Sequence, residues 1–194
     1  MSGFAEVAPA EIGALIATHP LAWIVARGDL TATAPMPLLA ETDAQGTPVA
    51  LIGHLPKRHP LVAALGADPH ALFLLQGPHG YISPEWLTNK DWAPTWNFAV
   101  AMIEAEVAFD DALTERALVD LVAHMERDRA VPWDVSAMGA RFDRLREQVI
   151  GFRATITNLR ARFKLGQDEN DTAFGEILTG LGDGELANWM RRAR

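Results

Sequence analysis

Alternation of apolar and polar positions dominates this chain from residue 21 to residue 165, and it predicts strands. Residues 21–27 read as a strand, Gly28-Asp29 as a two-residue hairpin connection, and residues 30–36 as the returning strand, with Thr31 and Thr33 alternating. Residues 38–41 and 47–53 flank a turn-rich connection at 42–46, and the apolar run at 71–76 has the length of a buried strand. A long strand over 95–109 begins apolar on both faces, as a central strand does, then alternates around Glu104 and Glu106. Residues 149–165 alternate over a stretch too long for one flat strand. Ile150, Phe152, Ala154 and Ile156 share one face, whereas Leu159, Ala161, Phe163 and Leu165 continue in the opposite phase. A slip of one residue near Asn158 predicts a bulge or sharp bend, the device by which a sheet turns the corner of a closed barrel.

The helical period occurs in shorter pieces. Pro9 opens a helix over 9–19 with Ile12, Leu15 and Ile16 on one face, and residues 60–65 make one or two turns. Asp110-Asp111 supplies an N-cap for a helix through Asp128, whose stripe is Leu113, Ala117, Leu118, Leu121, Val122 and Met125. A Val131-Pro132-Trp133 loop leads to a second helix over 136–147. Residues 168–191 finish as helix with a break near 180–184. Strands in hairpin order with few helical crossovers exclude a doubly wound parallel sheet. The prediction is an α+β fold, mostly antiparallel β, closed as a barrel in a single domain over 1–194, with inserted helices and C-terminal helices over about 168–191.

Composition removes several function classes. The 194 residues suit one domain, and the absence of cysteine excludes disulfides and thiolate metal sites and fits a reducing cytoplasm. No apolar run approaches the roughly 20 residues of a membrane span. The start, MSGFAEVAPAEIG, lacks the basic region of a signal peptide, so a cytoplasmic location without a membrane partner is expected. A net charge of −8 argues against duplex nucleic acid as a partner. The series Arg141, Arg144, Arg146, Arg153, Arg160, Arg162 and Lys164 is the one basic stretch on which a DNA contact could draw.

The densest chemistry lies at residues 76–98, which hold Trp86, Trp92 and Trp96, the only tyrosine (Tyr81), and His79. Pro78, Pro84 and Pro94 prevent a continuous helix or central strand. Flat rings on a stiff, irregular segment suit a small planar cofactor or a partner surface. Pro94-Thr95-Trp96-Asn97 ends this segment with a flat face and two hydrogen-bonding side chains; a core tryptophan with a paired indole is the competing reading. Gly53-His54-Leu55-Pro56-Lys57-Arg58 follows a strand, and Lys57 and Arg58 are the only lysine or arginine between residues 28 and 89. Backbone donors and two cations at a strand end suit a phosphate, against the alternative of two solvated side chains. Phe163-Lys164-Leu165-Gly166-Gln167 closes the last strand, where Lys164 could meet an anion and Gln167 could donate and accept; an ordinary polar strand end is the alternative. The histidines show no metal spacing. Nucleophile-elbow, GxGxxG and Walker sequences are absent, as is a helix-turn-helix with a short glycine turn.

The ordered set Gly-His-Leu-x-Lys, Gly-Pro-His-x-Tyr-Ile-Ser-Pro-x-Trp, Pro-Thr-Trp-Asn, Pro-Trp, Gly-Phe and Phe-Lys-Leu-x-Gln resembles the PaiB-like family, labelled FMN-binding negative transcriptional regulators, over residues 19–181. The resemblance implies an FMN-binding split β-barrel of Greek-key, pyridoxamine-phosphate-oxidase-like form, a homodimer with flavin at the subunit interface. By position it implies that Lys57 is the phosphate contact with Arg58 a second, and that His54 keeps the family histidine. It places Thr95, Trp96 and Asn97 near the ring or the dimer seam, and Lys164 and Gln167 toward the neighbouring subunit's site. The chain departs from the family pattern with His59 for Asn, Gly80 for Ala, Leu87 for an aromatic, Gly166 for Ser and Asp168 for Asn. Three functions are consistent with these residues: a flavin-binding regulator, a flavin-dependent oxidoreductase using NAD(P)H whose cofactor carries the chemistry, or a barrel holding another planar ligand such as haem.

Overall fold

The computed structural model describes residues 7–194, so residues 1–6 of the start, read as lacking the basic region of a signal peptide, lie outside the described residues. Six strands form the sheet: β1 (Leu21–Ala26), β2 (Asp29–Thr42), β3 (Pro48–Pro56), β4 (His70–Ile82), β5 (Thr95–Asp110) and β6 (Val149–Lys164). They close in the order β1-β2-β3-β6-β5-β4. Helix α1 (Pro9–Thr18) precedes them and α2 (Pro60–Ala67) joins β3 to β4. Helices α3 (Thr114–Glu126) and α4 (Ala140–Arg146) separate β5 from β6, and α5 (Asp171–Leu181) and α6 (Glu185–Arg192) follow the last strand. Contacts divide the chain into two compact units. The larger comprises Ala8–Leu75 and Met102–Arg160; the smaller includes Gln76–Ala101 and Ala161–Arg194.

In the larger unit the antiparallel pairs β1–β2, β1–β4, β2–β3 and β3–β6 set the register. Ala22, Ile24 and Ala26 of β1 alternate inward, as do Ile103, Ala105 and Val107 of β5, so small side chains recur on the buried face. Phe152 of β6 is fully buried, with its ring 6.3 Å from that of Phe73 and 6.4 Å from that of Phe109. A Cβ at Gly53 would stand 2.6 Å from the Phe152 ring, so the absent side chain on β3 makes room for the large one on β6.

Several sequence expectations change here. Residues 30–36 and 38–41 are one strand, β2, running through Pro35 and Pro37. The Leu38 N–H donates to Pro20 O on the β1 side, so the odd-numbered backbone nitrogens point the other way. Pairing with β3 starts only at Leu38, and neither proline is asked for a donor. The first part of the aromatic segment is likewise strand, because β4 continues to Ile82 beyond its last partner on β1, Leu75. The α3 stripe is only partly covered: Thr114 and Ala117 are buried, whereas Met125 is exposed. The expected helix over 136–147 is a short 3₁₀ turn, Val135–Met138, then α4, with Gly139 at φ 53° between them. In β6 the most buried side chains change from even positions (Phe152, Ala154) to an odd one (Phe163) within one strand, as the alternation predicts.

The smaller unit packs α5 and α6 by their apolar faces. Phe174 and Ile177 of α5 and Leu186, Ala187, Trp189 and Met190 of α6 are buried. Trp189 meets Phe163 edge to face, with centroids 5.7 Å apart. Trp86 lies directly on α5 at Gly180, where a Cβ would come within 2.2 Å of the indole.

Gly180→Ala is therefore expected to cost roughly 1–3 kcal/mol through overpacking. Gly175→Ala in the same helix, whose Cβ would meet nothing within 4 Å, should hold or raise stability. Urea midpoints at constant slope distinguish the two.

Candidate functional site

The first candidate lies in the larger unit, where β3 ends. His54, Leu55 and Pro56 pair with Gly151, Ile150 and Val149, and the Lys57 N–H extends the ladder by donating to Gln148 O at 2.9 Å. The chain then turns. His59 N–H donates to Pro56 O, and the His59 ring accepts from Leu61 N–H at 3.2 Å as the N-cap of α2. Lys57 and Arg58 thus stand exposed between a strand end and a helix start. The Lys57 ammonium pairs with Asp111 at 3.0 Å.

His54 shares a face with its partner Gly151, and that face is covered by the start of α3. A Cβ at Gly151 would be 2.7 Å from the Leu113–Thr114 backbone, and the Gly151 N–H donates to the Thr114 hydroxyl at 2.9 Å. His54 Nδ1 is buried there without a hydrogen-bond partner. Burial lowers its pKa, so the ring is neutral. An unpartnered buried nitrogen costs about 1–3 kcal/mol. Sequence reasoning did not bring Asp111 or Gln148 to this place. Asp110 is the residue that caps the following turn, accepting from Ala112 N–H at 2.8 Å, and this leaves the Asp111 carboxylate for Lys57.

The smaller unit holds the other sequence-identified residues. Trp96 is 52% exposed and Tyr81 46%. The Trp96 ring lies 6.1 Å from His79 at 21° and 6.2 Å from Tyr81 at 66°, an open aromatic surface. His79 Nδ1 is 3.1 Å from Gln76 Nε2 and 3.2 Å from Gly77 O; it accepts from the first or donates to the second, according to its tautomer. Asn97 points the opposite way along β5, 2% exposed, with its amide donating to Met190 Sδ at 3.5 Å. The Lys164 ammonium donates to the Thr95 hydroxyl. Gln167 uses both ends of its amide on its own strand end, accepting from Leu165 N–H at 2.7 Å and donating to Phe163 O at 2.9 Å. Gly166 has φ 76°, which explains glycine there in backbone terms. Glu169 beyond it has a raised pKa, first through burial and then through the charge of Asp168, with Lys164 opposing.

Glu176 of α5 accepts from the Thr88 N–H at 3.0 Å and from the Thr88 hydroxyl, which holds the 87–94 connection. The Thr88 hydroxyl, more than any other group, keeps this carboxyl below its usual pKa. A cleft of about 300 Å³ lies beside it, lined by Leu87, Trp92, Asn170 and Ala173 among others. In the larger unit a cleft of about 310 Å³ has Val25, Leu72 and Met102 among its lining, with Arg27, His70 and Arg160 charged or polar around them. Among the described residues no group of histidine, aspartate or glutamate could hold a metal ion, and no helix is long and apolar enough to cross a membrane.

A closed antiparallel barrel of this strand order, with helices inserted late, defines the split-barrel class. The chain belongs to the family described as "Putative FMN-binding domain", whose model matches residues 1–158. It is 30% identical to "Protease synthase and sporulation protein PAI 2" of Bacillus subtilis over 74% of this chain and 70% of that protein. Among solved structures it is similar in fold to the FAD and heme binding protein from Mycobacterium smegmatis, with TM-score 0.61, 15% identity, and 89% and 78% of the two chains covered. The flavocytochrome Anf3 from Azotobacter vinelandii has TM-score 0.55 and 16% identity, with 79% of this chain and 65% of that one covered.

Two pH effects follow from the larger unit. The Asp68 pKa is lowered to about 2, first by its hydrogen bond from His70 and then by Arg27, so its contribution to stability is complete above about pH 4 and is lost as pH falls toward 2. Burial holds the folded His54 pKa below the unfolded value of 6.5, so stability also declines as pH falls through 6.5 toward the folded pKa. In urea midpoints measured against pH, His54→Gln is expected to flatten the slope just below 6.5, and Asp68→Asn the slope between 4 and 2.

Proposed function

We propose that this chain is an FMN-binding split-barrel protein in which Arg58 and Lys57 receive the flavin phosphate. The exposed Lys57-Arg58 turn between the end of β3 and the capped start of α2 carries this reading. The residues fit a phosphate: two cations, no carboxylate paired with Arg58 among the ion pairs of the described residues, and a strand end opening into the capped start of α2. When bound, FMN supplies the electron-transfer chemistry. The protein's own residues hold the phosphate by charge. In the smaller unit the exposed faces of Trp96 and Tyr81 suit a flat partner surface such as a second subunit, with Lys164 and Thr95 as the polar groups at that strand end. There Asn97 and Gln167 act as supports, since their amides are already engaged.

A homodimer belongs to this proposal. β1 turns Leu21 and Trp23 outward, 58% and 53% exposed, the kind of apolar surface a second subunit covers. A cytoplasmic location and the single-domain organisation belong to it as well, the latter supported if one cooperative unfolding transition is seen by all probes. The role is regulation of the kind the family label describes, with flavin as the sensed ligand. Direct contact with DNA would draw on exposed cations such as Arg141 and Arg144.

The purified protein is expected to bind FMN with a flavin visible spectrum; a Soret band would redirect the assignment to haem, and absence of both would remove the reading. Arg58→Glu or Lys57→Glu should each weaken FMN at least about tenfold with circular dichroism unchanged. Unchanged affinity would end the phosphate assignment. Anaerobic oxidation of NAD(P)H by the flavin-loaded protein would show an oxidoreductase, and its absence favours the regulator.

A further inference from the structure

The ion pair between Lys57 and Asp111 bears on how tightly a phosphate can be held. Lys57 extends from the β3 end, and its ammonium sits 3.0 Å from Asp111 Oδ1. Asp111 begins the 3₁₀ turn Asp111–Leu113 that leads into α3, and its carboxylate is largely exposed. The adjacent Asp110 carries the side-chain cap, and Asp111 closes the turn only through its backbone carbonyl, which accepts the Thr114 N–H, so its carboxylate is left to swing away. The turn itself is held against β6 by the Gly151–Thr114 contact, which fixes where Asp111 stands. Arg58, the neighbouring cation, forms no ion pair among those of the described residues and is exposed.

We infer that Asp111 is a specificity-determining residue that competes with the ligand phosphate for Lys57, so that Arg58 is the standing anchor and Lys57 a conditional one. This inference rests on the phosphate reading of the Lys57-Arg58 turn. A carboxylate carries one negative charge, whereas a phosphate monoester near neutral pH carries between one and two and presents three acceptor oxygens. The phosphate therefore displaces Asp111, at the cost of breaking an existing pair. An exposed ion pair is weak, so the cost is modest. A ligand without a phosphate does not engage Lys57 and is indifferent to Asp111. Asp111 thus lowers the affinity for flavin phosphate in particular and keeps the bound cofactor exchangeable, which suits a protein that reports on flavin.

The test is a mutant cycle read by titration with FMN and, in parallel, riboflavin, on the full chain at fixed ionic strength. Asp111→Asn is expected to tighten FMN about threefold to tenfold and to leave riboflavin unchanged. In a Lys57→Met background the same substitution should have no effect on FMN, because the contested cation is gone. Arg58→Gln should weaken FMN more than Lys57→Met does in the wild-type background. Equal shifts for FMN and riboflavin, or a gain from Asp111→Asn that persists without Lys57, would overturn the inference by showing a general effect of the α3 start. If Arg58→Gln weakens FMN but Asp111→Asn does not tighten it, the phosphate site stands and the competition is wrong. If none of the variants alters FMN affinity, the phosphate site itself is wrong, and the inference goes with it.

Discussion

The approach of the α3 start to β6 at Gly151 is the constraint on which the candidate site depends. A side chain of any size at that position would strike the Leu113–Thr114 backbone, and the Thr114 hydroxyl uses the approach to accept the Gly151 N–H in a buried place. Two consequences meet at the end of β3, beside a cation that stays open. His54, opposite Gly151, is roofed over and loses water at Nδ1. Asp111 is brought to Lys57. Arg58, on the turn beyond, keeps its charge exposed. A buried imidazole nitrogen, a paired lysine and an open arginine thus lie within a few residues of one strand end, the first two tied to the approach at Gly151.

A comparable economy holds inside the barrel, where Gly53 makes room for Phe152. Packed interiors tolerate little change in volume, so a large ring on one strand requires small residues facing it. The same glycine and phenylalanine belong to strands that end at the candidate site, and the packing that closes the barrel also sets the position of Lys57.

In the smaller unit, polar residues divide into supports and open surface. Asn97, Gln167 and Glu176 direct their hydrogen bonds at Met190, the β6 end and Thr88, and they hold a strand, a turn and a loop in place. Trp96 and Tyr81 remain open. Residue type alone does not separate these roles, because an asparagine beside an exposed tryptophan on a strand must face the opposite side.

Local patterns in the sequence determined most of the strands, a cap at Asp110-Asp111, the phase change in β6, the broken C-terminal helix and the pairing of two cations at a strand end. Each depends on residues near one another in the chain: a period of two, a capping side chain, a glycine after a helix. The sequence also carried the family through its ordered motifs. Only the tertiary structure decided that Pro35 and Pro37 sit inside a strand, since this depends on where β3 begins to pair. It alone decided that the aromatic segment starts as β4, because that depends on where β1 runs out. It alone assigned Asp111 to Lys57, Asn97 to Met190 and Glu176 to Thr88. These are contacts between residues far apart in the chain, created when the sheet closes and the helices dock, and no spacing along the chain encodes them.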